Sequence, residues 1–169
     1  VNDGSITACS LVMDISNLGI GDIEEGTEEY GKLKGHLLSE DFFAAEQYPT
    51  ATFEITSVTA FDSTAISSKE EYETEFAPAS GSEYIVDNPT HNISGNLTMR
   101  GVTKNITFPA QVTISDNKID AQAKFNIDRT EWKLMYGDEA SATDKAKDKF
   151  IYNTVNVGFE IQASSQPTS

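Results

Sequence analysis

Residues 90–127, THNISGNLTMRGVTKNITFPAQVTISDNKIDAQAKFNI, carry three runs in which apolar residues fall at every second position. Leu97 and Met99 alternate with Thr98 and Arg100. Ile106, Phe108, Ala110, Val112 and Ile114 form the second run, and Ile119, Ala121, Ala123, Phe125 and Ile127 the third. A period of two places one set of side chains on one face of a strand. The intervening GVTK (101–104) and SDNK (115–118) read as turns, so the stretch predicts an antiparallel meander. Pro109 has no N–H to donate and points to an edge position or a bulge.

The same pattern recurs outward from this centre. In SITACSLVMDI (5–15), Cys9, Leu11, Met13 and Ile15 share one face, which predicts a half-buried strand. ATFEITSVTAF (51–61) is β-branched and aromatic, as strands prefer. FIYNTVNVGFEIQA (150–163) lines up Val155, Val157, Phe159 and Ile161. Residues 62–82 and 137–149 are polar and charged and read as loops. Residues 164–169, SSQPTS, read as a disordered tail behind a single domain spanning 1–163.

Helical signal is confined to residues 22–47. Tyr30, Leu33 and Leu37 are at helical spacing, but Gly26, Gly31 and Gly35 predict a short or broken helix. Ser39 followed by Glu40 and Asp41 reads as the N-cap of a second helical turn through Phe42, Phe43 and Ala45, which Pro49 must stop.

Composition removes several function classes. The 169 residues carry 12 Lys and Arg against 27 Asp and Glu, a net charge of −15. Nucleic acid and anionic membrane surfaces are disfavoured partners, because both need clustered cations. Cys9 stands alone, so no intrachain disulfide forms, which suits the cytosol or a bridge-free periplasmic protein. No window is long and apolar enough for a membrane helix. The chain starts at Val1 rather than Met, consistent with a removed export signal.

Catalytic constellations are missing. His36 and His91 with Cys9 are too few to build a His/Cys zinc site, and no cofactor fingerprint is present. Cys9 falls on an apolar strand face, where a thiol is inert. The sequons at Asn92, Asn96 and Asn105 fall on strands. One catalytic reading, a hydrolase or isomerase, would need His36 to point into a pocket beside Asp41. The remaining pattern is long strands with continuous apolar faces, which close into a sandwich or barrel. Pattern alone leaves a filled core and a ligand cavity equally open.

HLLSEDFFAAEQYPTATFEI (36–55) resembles the signature of the YceI-like family: His36, Leu37, Ser39, Asp41, Phe42, Phe43, Tyr48, Pro49 and Phe53 match it. Gly95, Leu97, Thr98, Gly101, Val102, Thr103 and Lys104 match a second family block, and Ile127 and Arg129 in AKFNIDRTEWKL a third. The resemblance implies an all-β fold, an antiparallel lipocalin-like barrel with a short helical segment packed at one end. It also implies an exported protein, periplasmic or secreted, that binds an apolar isoprenoid or fatty lipid without catalysis. Phe42, Phe43 and Tyr48 would then seat the helix over the barrel or rim its mouth. The expected lining is Leu11, Met13, Leu97, Met99, Ile106, Phe108, Phe125, Ile127, Val155, Val157 and Phe159. No metal and no cofactor other than such a lipid is expected. The alternative is a filled barrel acting as an interaction module, its acidic loops binding a basic protein.

One departure accompanies the resemblance. Family members carry two more strands ahead of the segment matching GSITACSLVMDI (4–15). The expectation is a barrel that lacks the family's first strands or is open on one side. The apolar strand at residues 5–15 would then be covered by an upstream segment or by a second copy in a homodimer.

Overall fold

The computed structural model describes residues 10–21, 23–65, 86–115, 118–137 and 153–164. Six strands follow one another in a single antiparallel sheet: β1 (Ser10–Asp14), β2 (Thr50–Ala60), β3 (His91–Met99), β4 (Val102–Ser115), β5 (Lys118–Asp128) and β6 (Thr154–Ser164). Sheet order equals chain order, and the sheet curls into a half-barrel. Among the described residues β1 pairs only with β2 and β6 only with β5, so both are edges. Residues 5–9, most of the loops expected at 62–82 and 137–149, and residues 165–169 of the expected tail lie outside the described residues.

The meander forms as its alternation predicts, with one shift at a turn. GVTK is not the turn: Met99 pairs with Val102, leaving Arg100 and Gly101 as a two-residue loop. Both have positive φ, +47° and +70°, the backbone that matches strand twist in a tight hairpin. Val102, Thr103 and Lys104 therefore belong to β4.

Pro109 lies inside β4, where its missing donor is tolerated for a topological reason. The carbonyl of Ala110 accepts from Thr90 N–H and so faces β3. Pro109 faces the other way, toward β5, and the β4–β5 ladder begins only at Ala110. Between Val102 and Pro109 β4 forms no ladder with β5.

β2 carries a bulge: Ile55 pairs with Gly95 and Ser57 with Ser94, leaving Thr56 unpaired. Gly95 is required beside it. A Cβ there would stand 2.4 Å from Phe53 Cζ and 2.6 Å from the Glu54 carbonyl oxygen.

The helix is short, one of the two forms its glycines predict. α1 (Glu28–Leu38) is continuous through Gly31 and Gly35. Thr27 Oγ1 accepts from Tyr30 N–H, and Glu28 and Glu29 in the first turn complement the helix dipole. Ser39 closes α1 as its C-cap, its N–H and its Oγ both donating to the His36 carbonyl, and it also caps the turn that follows, its Oγ accepting from Asp41 N–H at 3.3 Å. The chain then tightens into turns rather than a second helix. Phe43 and Ala45 N–H reach back to the Leu37 and Leu38 carbonyls, and Ala44 has φ +48°. These bonds satisfy the carbonyls that a helix end leaves open.

Candidate functional site

Alternation in the strands sorts the side chains into two sets. The concave face presents Leu11 and Met13 from β1, Phe53 from β2, and Leu97 and Met99 from β3. β4 adds Ile106 and Phe108, β5 adds Phe125 and Ile127, and β6 adds Val155, Val157 and Phe159. Leu97, Met99, Ile106, Phe108, Phe125 and Ile127 are buried, and Leu11, Met13, Val155, Val157 and Phe159 pack partly buried against them. The lining residues named from sequence are thus brought into one apolar cluster. Aromatic rings fill its centre: Phe108 lies 5.3 Å from Phe53, 4.1 Å from Phe125 and 5.7 Å from Phe159, centroid to centroid.

One end of the cluster is closed by residues that strand periodicity did not select. A 3-10 turn at Arg129–Trp132 follows β5, and Trp132 and Leu134 are 1 % and 2 % exposed. Trp132 Nε1–H donates to the Leu97 carbonyl at 3.1 Å. The guanidinium of buried Arg129 donates to the Leu134 carbonyl and lies over the Phe42 ring. Arg100 Nη1–H donates to the carbonyls of Phe42 (2.7 Å) and Lys133 (2.9 Å). The hairpin tip, the 36–48 segment and the turn after β5 are thereby tied together. The signal available in sequence was the large apolar pair Trp132 and Leu134 directly after an ended strand pattern.

Phe42 and Phe43 belong to this closed end, Phe42 buried and Phe43 partly so. Tyr48 lies against the hairpin, its ring 3.4 Å from where a Gly101 Cβ would sit.

His36 and Asp41 do meet. Nε2 of His36 stands 3.5 Å from Asp41 Oδ2, with both side chains substantially exposed at 35 % and 57 %. The imidazole is also held edge-on by Phe42 at 5.1 Å and Tyr136 at 4.5 Å. It borders a surface groove of about 600 Å³ with Ile23, Glu28, Glu29, Lys32 and Leu33, but Asp41 does not line that groove. Ser39, the hydroxyl of this turn, donates to the helix carbonyl of His36 and accepts from Asp41 N–H. A nucleophile beside its base, as covalent catalysis needs, is not assembled there.

Among the described residues no cluster of His, Cys, Asp and Glu could hold a metal ion, and no helix is long and apolar enough to cross a membrane. A second groove, of about 700 Å³, lies on the convex side against Gln111, Gln122, Lys124 and Glu160. His91 is half-buried, with its Nδ1 2.8 Å from Thr90 Oγ1.

The fold recurs in solved structures. A Campylobacter jejuni YCEI protein superposes with a TM-score of 0.54 at 19 % identity, over 93 % of this chain and 71 % of that one. Burkholderia cenocepacia BcnA superposes with a TM-score of 0.55 at 20 % identity, over 92 % of this chain and 73 % of the other. A search of the curated proteins found no match. The model of the YceI-like domain matches residues 5–163. That family is known for barrels that bind lipids and polyisoprenoids, and is generally one of binding proteins rather than catalysts. With the match running over nearly the whole chain, from β1 through β6, this protein belongs to the YceI-like family.

Proposed function

We propose that this protein binds a long apolar or amphiphilic lipid of isoprenoid type along the concave face of the sheet, to sequester or carry it. The observation that supports this most is the continuity of that face: apolar side chains from all six strands form one cluster. The mechanism is burial. Each methylene removed from water contributes about 0.8 kcal/mol, so a long chain binds tightly without polar contacts along its length. Met13 and Met99 suit a flexible ligand, because thioethers adapt their packing. No catalytic step belongs to this reading. The periplasmic setting typical of the family supports an exported protein.

The test is a native mass spectrum of the purified protein, followed by solvent extraction. A co-purifying lipid with a long hydrocarbon chain is the expected result. Protein free of lipid, and unable to take up a prenyl alcohol from detergent, would overturn the reading.

A second reading is favoured by one specific observation: Phe108 and Trp132 are each 1 % exposed, as in a filled core. The protein would then be an interaction module whose acidic surface binds a basic partner, and the same extraction separates the two.

Among the described residues β1 has one unpaired edge, which a second copy of the chain or an upstream segment would cover. Val12, on the outward side of that strand, is 67 % exposed. Light scattering on the eluting protein checks this, with a dimer expected and a lipid-loaded monomer counting against it.

A further inference from the structure

We infer that Lys104 reads the head group of the ligand, and that this head group is an anion, a carboxylate or a phosphate ester on a single apolar chain. The inference rests on the lipid-binding reading and adds to it the polarity of the ligand's end and the residue that selects it.

Register fixes where Lys104 points. It pairs with Leu97, buried at 7 %, and residues directly opposite in an antiparallel pair share a face. On its own strand Val102 and Ile106, two residues away on either side, join the apolar cluster. Thr103 and Asn105, between them, are exposed on the other face. Lys104 is therefore a half-buried lysine on a largely apolar concave wall.

Among the described residues it has no counter-charge. The carboxylates of the strands, Asp14, Glu54, Asp120, Asp128 and Glu160, all occupy outward positions, as do Lys118 and Lys124. Among the described residues Lys104 has no ion pair and no side-chain hydrogen bond. The other polar groups of this face are engaged: His91 with Thr90, and Arg129, just beyond β5, with the Leu134 carbonyl and the Phe42 ring. Lys104 also stands where β4 forms no ladder with β5, which pairs with it only from Ala110.

Charge logic makes the ligand's end an anion. A net charge of −15 repels anions at long range. Screening confines such fields to about 8 Å at physiological salt, so a cation on a face to which the described strands contribute no carboxylate dominates locally. An ammonium held against apolar side chains is costly without a partner, and an ionised acceptor offsets that cost while forming the stronger class of hydrogen bond. A neutral alcohol or amide offers less.

The experiment displaces a neutral fluorescent probe, N-phenyl-1-naphthylamine, with dodecanoate, dodecyl phosphate and dodecan-1-ol, which share one chain. The wild type is expected to prefer both anions over the alcohol by about tenfold, the ratio of one charge-assisted hydrogen bond. Lys104→Met brings that ratio to about one, and Lys104→Arg keeps it. Lys104→Gln replaces the methionine variant if the latter loses its fold by circular dichroism. Equal affinity of the wild type for all three ligands, or a ratio that survives Lys104→Met, overturns the assignment. Displacement by inorganic phosphate alone also overturns it, since the site would then read a free anion. A wild type that binds none of the chains sinks the lipid-binding reading instead.

Discussion

Phe108 and Phe125 stack nearly parallel, 4.1 Å between centroids and 6° between planes, at a level where β4 and β5 no longer share a ladder. Side-chain contact there takes over from backbone pairing. Phe125→Ala should lower stability by about 3–5 kcal/mol, since a cavity opens where neighbours cannot follow. In a cycle with Phe108→Ala, the two losses should fall short of additive by about 0.5–1.5 kcal/mol. Urea melts of the four proteins measure this, and strict additivity would mean the stack is incidental.

Gly95 is the position at which a single methyl should be least tolerated. Gly95→Ala drives a Cβ into the Phe53 ring and the Glu54 carbonyl, so overpacking should cost about 1–3 kcal/mol. Phe53→Leu in the same chain should recover part of that loss but not all, because the carbonyl stays. A neutral Gly95→Ala in a thermal melt would show that the bulge at Thr56 shifts freely.

Arg100 holds two segments through one nitrogen. Arg100→Met leaves the carbonyls of Phe42 and Lys133 without that donor, with an expected loss of about 1.5–3 kcal/mol. Amide exchange locates the effect: Phe42 to Tyr48 should exchange faster while Val112 and Ala121 hold their protection. A uniform rise in exchange would place the role of Arg100 elsewhere.

Met99→Lys tests the lining. The side chain is buried at 8 % on the concave face, and an ammonium there has no carboxylate to meet. Lipid retention should be lost, with Met99→Leu as the control that keeps it. A folded Met99→Lys protein that still extracts with its lipid would move the binding face away from β3.

His36→Ala bears on catalysis. The imidazole packs against Phe42 and Tyr136, so the expected effect is about 0.5–1.5 kcal/mol of stability and nothing else. Any turnover by the wild type that this substitution abolishes would restore the catalytic reading of His36 and Asp41.

Strand identity and the inward set were legible in the chain because they follow from a local rule. Leu97, Ile106 and Phe125 each sit two residues from the next apolar position, and period two needs no knowledge of neighbours. Local rules compete at three places. Ser39 suits either end of a helix, and the fold uses it for both, its hydroxyl donating back to the His36 carbonyl and accepting from Asp41 N–H ahead. GVTK reads as a turn from its sequence, and that reading hides that Lys104 continues the inward series of Ile106 and Phe108. The continuity of α1 through Gly31 and Gly35 runs against intrinsic propensity, which capping at both ends offsets.

By itself the sequence determined which segments are strands, which face of each is apolar, and which family signature they carry, since periodicity and motif are properties of neighbouring residues. The tertiary structure alone decided what meets what. Trp132 reaching Leu97, Arg129 stacking on Phe42 and the end of the β4–β5 ladder short of Lys104 join positions far apart in the chain. Such contacts depend on how the sheet curves and where its ladders end. Neither is encoded in any one segment, because both arise from the packing of all of them together.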